Sequence, residues 1–273
     1  DQSIYRWRGS DYRNVRRFQR DYPEATVVLL EQNYRSTQTI LDAATAVINQ
    51  NRGRTAKELF TERSGGSVIQ LHEAYDEEEE AGLVVKTISE HLREEYRPGD
   101  CAIMYRTNAQ SRVLEEAFIR AGLPYRLLGA TRFYARREVK DLLAFLRLAY
   151  NPRDGVSLAR VLNVPPRGIG HKAVAALQAA AGIDESPARL LLVLADEKTT
   201  SPHYEAIGTR LARPLVAFGT ILSRWIRAVE EEQPVAELLQ LILKDTDYSS
   251  YLQDGSESGR ERWENVQEFL KAA

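Results

Sequence analysis

Residues 26–48 read TVVLLEQNYRSTQTILDAATAVI, and the stretch changes character twice. Thr26-Val-Val-Leu-Leu30 is a short apolar run rich in β-branched residues, which predicts a buried strand. Glu31 to Thr37 is polar and dense. Ile40, Leu41, Ala44, Val47 and Ile48 then return at helical spacing and mark one apolar helix face. Strand, polar loop and helix together make the repeating unit of an α/β fold with a largely parallel sheet.

The alternation continues outward. Residues 12–20 read as a helix that Tyr22-Pro23 ends. Arg63-Ser-Gly-Gly66 is a turn and Val68-Ile-Gln-Leu71 a strand. Asp76 to Glu80 open the next helix, where negative charge suits the N-terminal dipole. Pro98-Gly99 precedes a core strand at 101–105 that carries Cys101 and Met104. A helix follows at 109–121, a short strand at 125–128, and an amphipathic helix marked by Val139, Leu142, Leu143, Leu146 and Ala149. Asn151-Pro152 is a boundary signal. Beyond it no convincing strand occurs, and leucine-rich helical segments at 156–163, 170–181, 205–232, 235–244 and 259–271 predict an all-helical domain.

The chain has 273 residues, 43% hydrophobic and 28% charged, with a net charge of −2. It is large enough for two domains with folded cores. No apolar run reaches membrane-span length and no signal peptide opens the chain, so no membrane role is expected. The single cysteine, Cys101, excludes an internal disulfide and suits a reducing compartment. Four scattered histidines give no metal-ligand spacing, and Trp225 and Trp263 read as helix-packing residues. A globally basic nucleic-acid binder is not indicated, but the charge is uneven. Residues 1–20 hold Arg6, Arg8, Arg13, Arg16, Arg17 and Arg20 against Asp1 and Asp11. Such a local patch binds phosphates even on an acidic chain.

Three segments carry candidate chemistry. At 1–11, DQSIYRWRGSD alternates Tyr5 and Trp7 with Arg6 and Arg8. Aromatic faces stack on bases and guanidinium groups hold phosphates, which suits single-stranded nucleic acid; interior packing with surface charge is the alternative. Arg106 and Asn108 directly follow the expected strand at 101–105, where such folds bind ligands, although Asn108 also suits a helix N-cap. Val164-Pro-Pro-Arg-Gly-Ile-Gly-His-Lys172 lies between two helical segments. Gly168 and Gly170 permit a tight turn, the next helix offers free N–H groups to phosphate, and Arg167 and Lys172 could add charge. A plain turn between helices is the alternative.

DQSIYRWRGSD resembles the third helicase motif of the UvrD/PcrA/Rep family, a branch of superfamily I ATP-dependent DNA helicases. LEQNYRST at 30–37 resembles the fourth motif. YRTNAQSR at 105–112 and FYARREVKD at 133–141 resemble two further family segments, and the four run in family order. The resemblance implies an internal fragment of a longer motor. Residues 1–23 would end the first motor domain and 24–150 would be part of a second, RecA-like one. Residues 151–273 would be a helical insertion with a helix-hairpin-helix-like turn.

It also implies roles. Gln2 would sense the γ-phosphate, Tyr34 would lie against adenine, and Arg35 would act as an arginine finger. Without the resemblance, Tyr34 and Arg35 would read as a capping loop with surface charge. Tyr5 and Trp7 would stack on bases, with Arg8, Arg106 and Asn108 on the strand's backbone. Arg167, Gly168, Ile169, Gly170 and Lys172 would touch duplex DNA. The implied ligands are ATP with Mg2+ in the full-length parent, with none held by this piece alone. The implied partners are single-stranded DNA, single/double-strand junctions, and repair or replication proteins. The implied setting is the bacterial cytoplasm at the nucleoid, and the implied polarity is 3′ to 5′. Two alternatives stay open: the motor of a helicase–nuclease recombination subunit, and a non-catalytic DNA-binding relative. No G-x-x-x-x-G-K-[ST] occurs in the 273 residues, so this stretch alone is expected to be catalytically inactive.

Overall fold

The structure is a computed structural model that describes residues 11–51, 57–63, 65–129, 131–182 and 186–273. Contacts divide the chain into two compact units, Asp1–Tyr75 and Asp76–Ala273. The expected boundaries lay instead at 23/24 and 150/151.

In the first unit, α1 (Tyr12–Asp21) starts at Asp11, whose side chain accepts from the Arg13 amide at 2.9 Å. It stops at Tyr22, before Pro23. Helix α2 (Gln38–Ile48) follows Thr37, but of its expected apolar face only Leu41 is buried. Ile40 and Val47 are exposed.

The expected parallel sheet is not formed among the described residues. Residues 26–30, 68–71, 101–105 and 125–128 carry no ladder, and the one β pairing there is a parallel bridge between Gln32 and Phe60. A strand is stable only when a neighbour takes its backbone groups and covers its face. These stretches have neither: Leu30 is 81% exposed and Leu71 96%. Met104, expected in a core strand, is 93% exposed, and Cys101 is half-buried.

The second unit is helical. Helix α3 (Glu77–Arg93) is capped by Asp76, which accepts from the amides of Glu78 and Glu79 at 3.1 and 2.8 Å. Helix α4 (Ser111–Arg120) packs on it. The chain then runs through α5 (Arg137–Tyr150), α6 (Gly155–Val161), α7 (His171–Ala181), α8 (Pro187–Glu197), α9 (Pro202–Ile207) and α10 (Thr209–Glu230). It ends with α11 (Val235–Thr246), α12 (Tyr248–Leu252) and α13 (Glu257–Lys271). The expected long helix at 205–232 is broken at Gly208, whose φ of 86° belongs to no right-handed helix.

One core runs from Phe133 to Phe269, so helices on both sides of Asn151 share it. Its densest contact joins α8 and α10. Gly219 permits that approach, because a Cβ there would overlap the Leu191 carbonyl of α8. Trp225 is fully buried, edge-on to Phe145 at 5.5 Å, and donates its indole N–H to Asp245 at 3.1 Å. Trp263 packs against the same core. No helix among the described residues is long and apolar enough to cross a membrane.

Candidate functional site

Gln2, Tyr5, Trp7 and Arg8 lie outside the described residues.

The loop at 31–37 is fixed by its backbone. The Asn33 side chain accepts from the amides of Arg35 and Ser36 at 2.9 and 2.8 Å, closing a turn over those residues. Segment 57–63 holds it from the side. The Asn33 amide donates to the Phe60 carbonyl at 2.8 Å, and the Phe60 amide donates to the Glu31 carbonyl at 3.0 Å. Arg63 Nη1 donates to the Arg35 carbonyl at 3.1 Å. On this frame Tyr34 stands 73% exposed, its hydroxyl donating to Gln32 at 2.7 Å. The Arg35 guanidinium is exposed and has no partner among the described residues. A free planar cation beside a free aromatic face is chemically able to meet a phosphate and a base.

The loop at 106–110 is built in a similar way. Gln110 Oε1 accepts from the amides of Arg106 and Thr107, each at 2.9 Å, and closes a capping box with Thr107. Thr107, not Asn108, is therefore the N-cap residue of the short 3-10 turn. Arg106 and Asn108 are brought together on one loop. The Asn108 side-chain amide has no partner among the described residues and lines an open polar cleft of about 600 Å³. Around it stand Thr131, Arg136, Arg137, Glu138, Arg262 and Asn265.

The turn at 163–172 corrects one expectation. Arg167 points inward. Its Nη1 donates to the carbonyls of Val161 and Leu162 at 3.1 and 3.3 Å, and its Nη2 to that of Val164 at 2.9 Å. Its guanidinium lies over the Phe218 ring at 4.9 Å. Burial lowers its pKa to about 10. A cation at the C-terminal carbonyls of α6 is favourably placed for the fold, and its donors are taken. Ile169 is buried as well. Asn163, which sequence reasoning passed over, organises the turn by accepting from the amides of Arg167 and Ile169 at 2.9 and 3.2 Å. What faces outward is Gly168 at φ 80°, Gly170, His171 and Lys172. The amides of Gly170, His171 and Lys172 have no acceptor among the described residues, as expected at the start of α7.

Arg136 was also missed. Two arginines, Arg136 and Arg137, stand where α5 begins, at the positive end of the helix dipole. That unfavourable placement was the available signal. Among the described residues no group of three or more His, Cys, Asp or Glu side chains could hold a metal ion.

Residues 28–273 match the UvrD-like helicase C-terminal domain family. Over 271 residues the chain is 41% identical to the ATP-dependent DNA helicase PcrA of Staphylococcus epidermidis, covering 99% of this chain and 36% of that protein. It is 39% identical, with the same coverage, to the protein of that name from Staphylococcus aureus strain Mu50. The chain spans about a third of the length of these relatives.

Proposed function

The chain belongs to the UvrD-like helicase C-terminal domain family, and on that premise we propose that it is part of an ATP-driven motor moving 3′ to 5′ on single-stranded DNA. In this reading residues 1–23 close a first motor domain, 24–150 contribute to a second, RecA-like one, and 151–273 form a helical insertion. The setting is the bacterial cytoplasm, at single/double-strand junctions met in repair, replication or recombination.

One observation carries the proposal. Two separate loops combine a pinned backbone with a free polar side chain: Asn33 fixes the loop that presents Arg35, and Gln110 fixes the loop that presents Asn108. Side chains held ready on rigid frames lose little freedom on binding, so the arrangement favours ligand contact over surface decoration.

The chemistry follows from the residue types. Tyr34 offers a face to adenine. Arg35 offers a fixed cation to the charge that grows on the transferred phosphoryl group. Gln2 offers a neutral amide able to donate to a phosphate oxygen and accept from water. Tyr5, Trp7 and Arg8 grip one stretch of the strand while Arg106 and Asn108 grip the next. Alternation between the two grips, timed by hydrolysis, would give steps. The described residues supply no seat for Mg2+, so none of these roles depends on a bound metal. Lys172 and the free amides at 170–172 are assigned to duplex phosphates, and Arg167 is withdrawn from that set.

The test is a protein of the relatives' full length carrying Arg35→Ala. A finger acts on transition-state charge, so kcat for ATP should fall on the order of 10³-fold with little change in nucleotide affinity. Undiminished hydrolysis would return Arg35 to a surface role. The 273-residue chain assayed alone should show no DNA-stimulated ATPase activity, because its sequence contains no phosphate-binding loop.

A further inference from the structure

Arg136 is 7% exposed, and burial pulls its pKa below the ordinary arginine value. Its donors are distributed over three parts of the second unit. Nε donates to the Thr131 carbonyl at 3.2 Å. Nη2 donates to the Asn108 carbonyl at 2.9 Å and to Ser111 Oγ at 2.8 Å. Nη1 donates to Asn265 Oδ1, on α13, at 2.6 Å. Asn265 is itself 5% exposed and donates from Nδ2 to Glu138 at 2.6 Å. A buried guanidinium with every direction occupied fixes whatever it binds, because each lost bond would leave a charge-bearing donor unsatisfied.

A second tie lies along the same helix face. Glu268, three residues beyond Asn265, accepts from Arg112 Nε at 2.9 Å and pairs with its Nη2 at 2.8 Å. Arg112 also holds Glu116 at 3.2 Å. Burial works against the Arg112 charge, but its bonds to Glu268 and Glu116 outweigh it and raise the pKa. Helix α13 therefore meets the segment 106–112 at both ends, through Asn108 and Ser111 by way of Arg136, and through Arg112 directly.

We propose that α13 is the positioning strut of the loop that bears Arg106 and Asn108, with Asn265, acting through Arg136, and Glu268, acting through Arg112, as positioning residues. As a statement about DNA this rests on the reading that Arg106 and Asn108 contact a single strand. As a statement about the loop it does not. It follows that a displacement of α13 is passed to the loop by polar bonds rather than by loose packing.

The experiment uses the 273-residue chain and two readouts: hydrogen exchange of the amides at 106–111, and titration of a fluorescein-labelled oligo(dT) at fixed salt. Asn265→Ala should speed exchange at 106–111 and weaken oligo(dT) binding, each by about tenfold, the scale of freeing one or two ordered side chains. Amides of α8 and α10 should keep their protection. Asn265→Asp retains an acceptor for Arg136 while losing the donor to Glu138. It should lower thermal stability yet keep both loop protection and affinity, a rescue that a merely structural role would not give. Glu268→Gln, a milder change, should loosen the same amides if Asn265→Ala fails to fold. Unchanged exchange at 106–111 in a folded Asn265→Ala or in Glu268→Gln would overturn the strut. So would equal loosening of the loop in Asn265→Ala and Asn265→Asp. Arg106→Ala is the separate control: undiminished oligo(dT) affinity there would remove the strand reading, leaving the strut to stand or fall on exchange alone.

Discussion

Between Thr26 and Leu71 the apolar stretches lie open to solvent, whereas from Phe133 to Phe269 they close into one core. Among residues 11–75 whose burial is described, Leu41 alone is buried. In the helical region Leu142, Leu191, Leu215, Leu222, Leu239 and Ile242 are all fully buried. The difference lies in what each kind of element needs. A helix satisfies its own backbone and asks neighbours only to cover a stripe, which other helices of the same stretch supply. A strand must find a partner for its backbone as well as its face. The first region has a single parallel bridge to offer.

The largest expected effect tests whether the helical region is the stable half. Trp225→Ala removes a fully buried indole that touches Phe145 and Phe218 and leaves Asp245 without its donor. Loss of about 3–5 kcal/mol is expected in urea unfolding of the chain, the usual cost of truncating a buried aromatic. A loss below about 1 kcal/mol would mean that the core around α8 and α10 is far looser than its geometry.

The same contrast decides what was legible in the sequence. Apolar spacing marked α2, α5, α7, α11 and α13, and the acidic run at 76–80 marked the start of α3, because those signals need only local structure to come true. Helix α8 was overlooked although Ser186 caps it and Pro187 opens it, a standard start signal. The β-rich stretches were legible as apolar but not as paired, since pairing depends on residues distant in sequence. Side-chain direction was the least legible. Nothing local distinguishes Arg167, drawn inward by three carbonyls and the Phe218 ring, from Lys172, which faces out. The roles of Arg136 and Asn265 were hidden for the same reason: their partners lie 129 residues apart.

A smaller effect separates structure from ligand contact at the 163–172 turn. Gly168 sits at φ 80°, so Gly168→Ala should cost about 1 kcal/mol of stability through backbone strain. Gly170 has an ordinary φ of −81° and a Cβ there would meet nothing within 4 Å. Gly170→Val should therefore leave thermal unfolding nearly unchanged. Its branched side chain stands beside the free amides of α7, however. Losing one amide–phosphate bond, worth about 1 kcal/mol, should weaken hairpin-duplex binding by the full-length protein about fivefold. Oligo(dT) binding should be spared. Undiminished duplex binding would leave the turn as a connector between α6 and α7.

The smallest expected effect is the most direct challenge to the comparison. Leu71 is 96% exposed and Met104 93%, each in a stretch whose sequence predicts a buried strand. If they stand in solvent, as the structure has them, Leu71→Ser and Met104→Ser should each change stability by no more than about 0.5 kcal/mol, the usual range for surface positions. Solubility should rise, because exposed apolar residues on unpaired backbone favour association between chains. If instead the stretches pair into a sheet in solution, the same serines would be buried. Each would then cost about 2–5 kcal/mol, as loss of a core leucine or methionine does. The two outcomes are separated by more than the error of a denaturant titration. A large loss at Leu71 with none at Met104 would confine pairing to the first unit, and the reverse would confine it to the second. The serine pair thus measures, unit by unit, how far the contrast between an open α/β stretch and a closed helical core holds in solution.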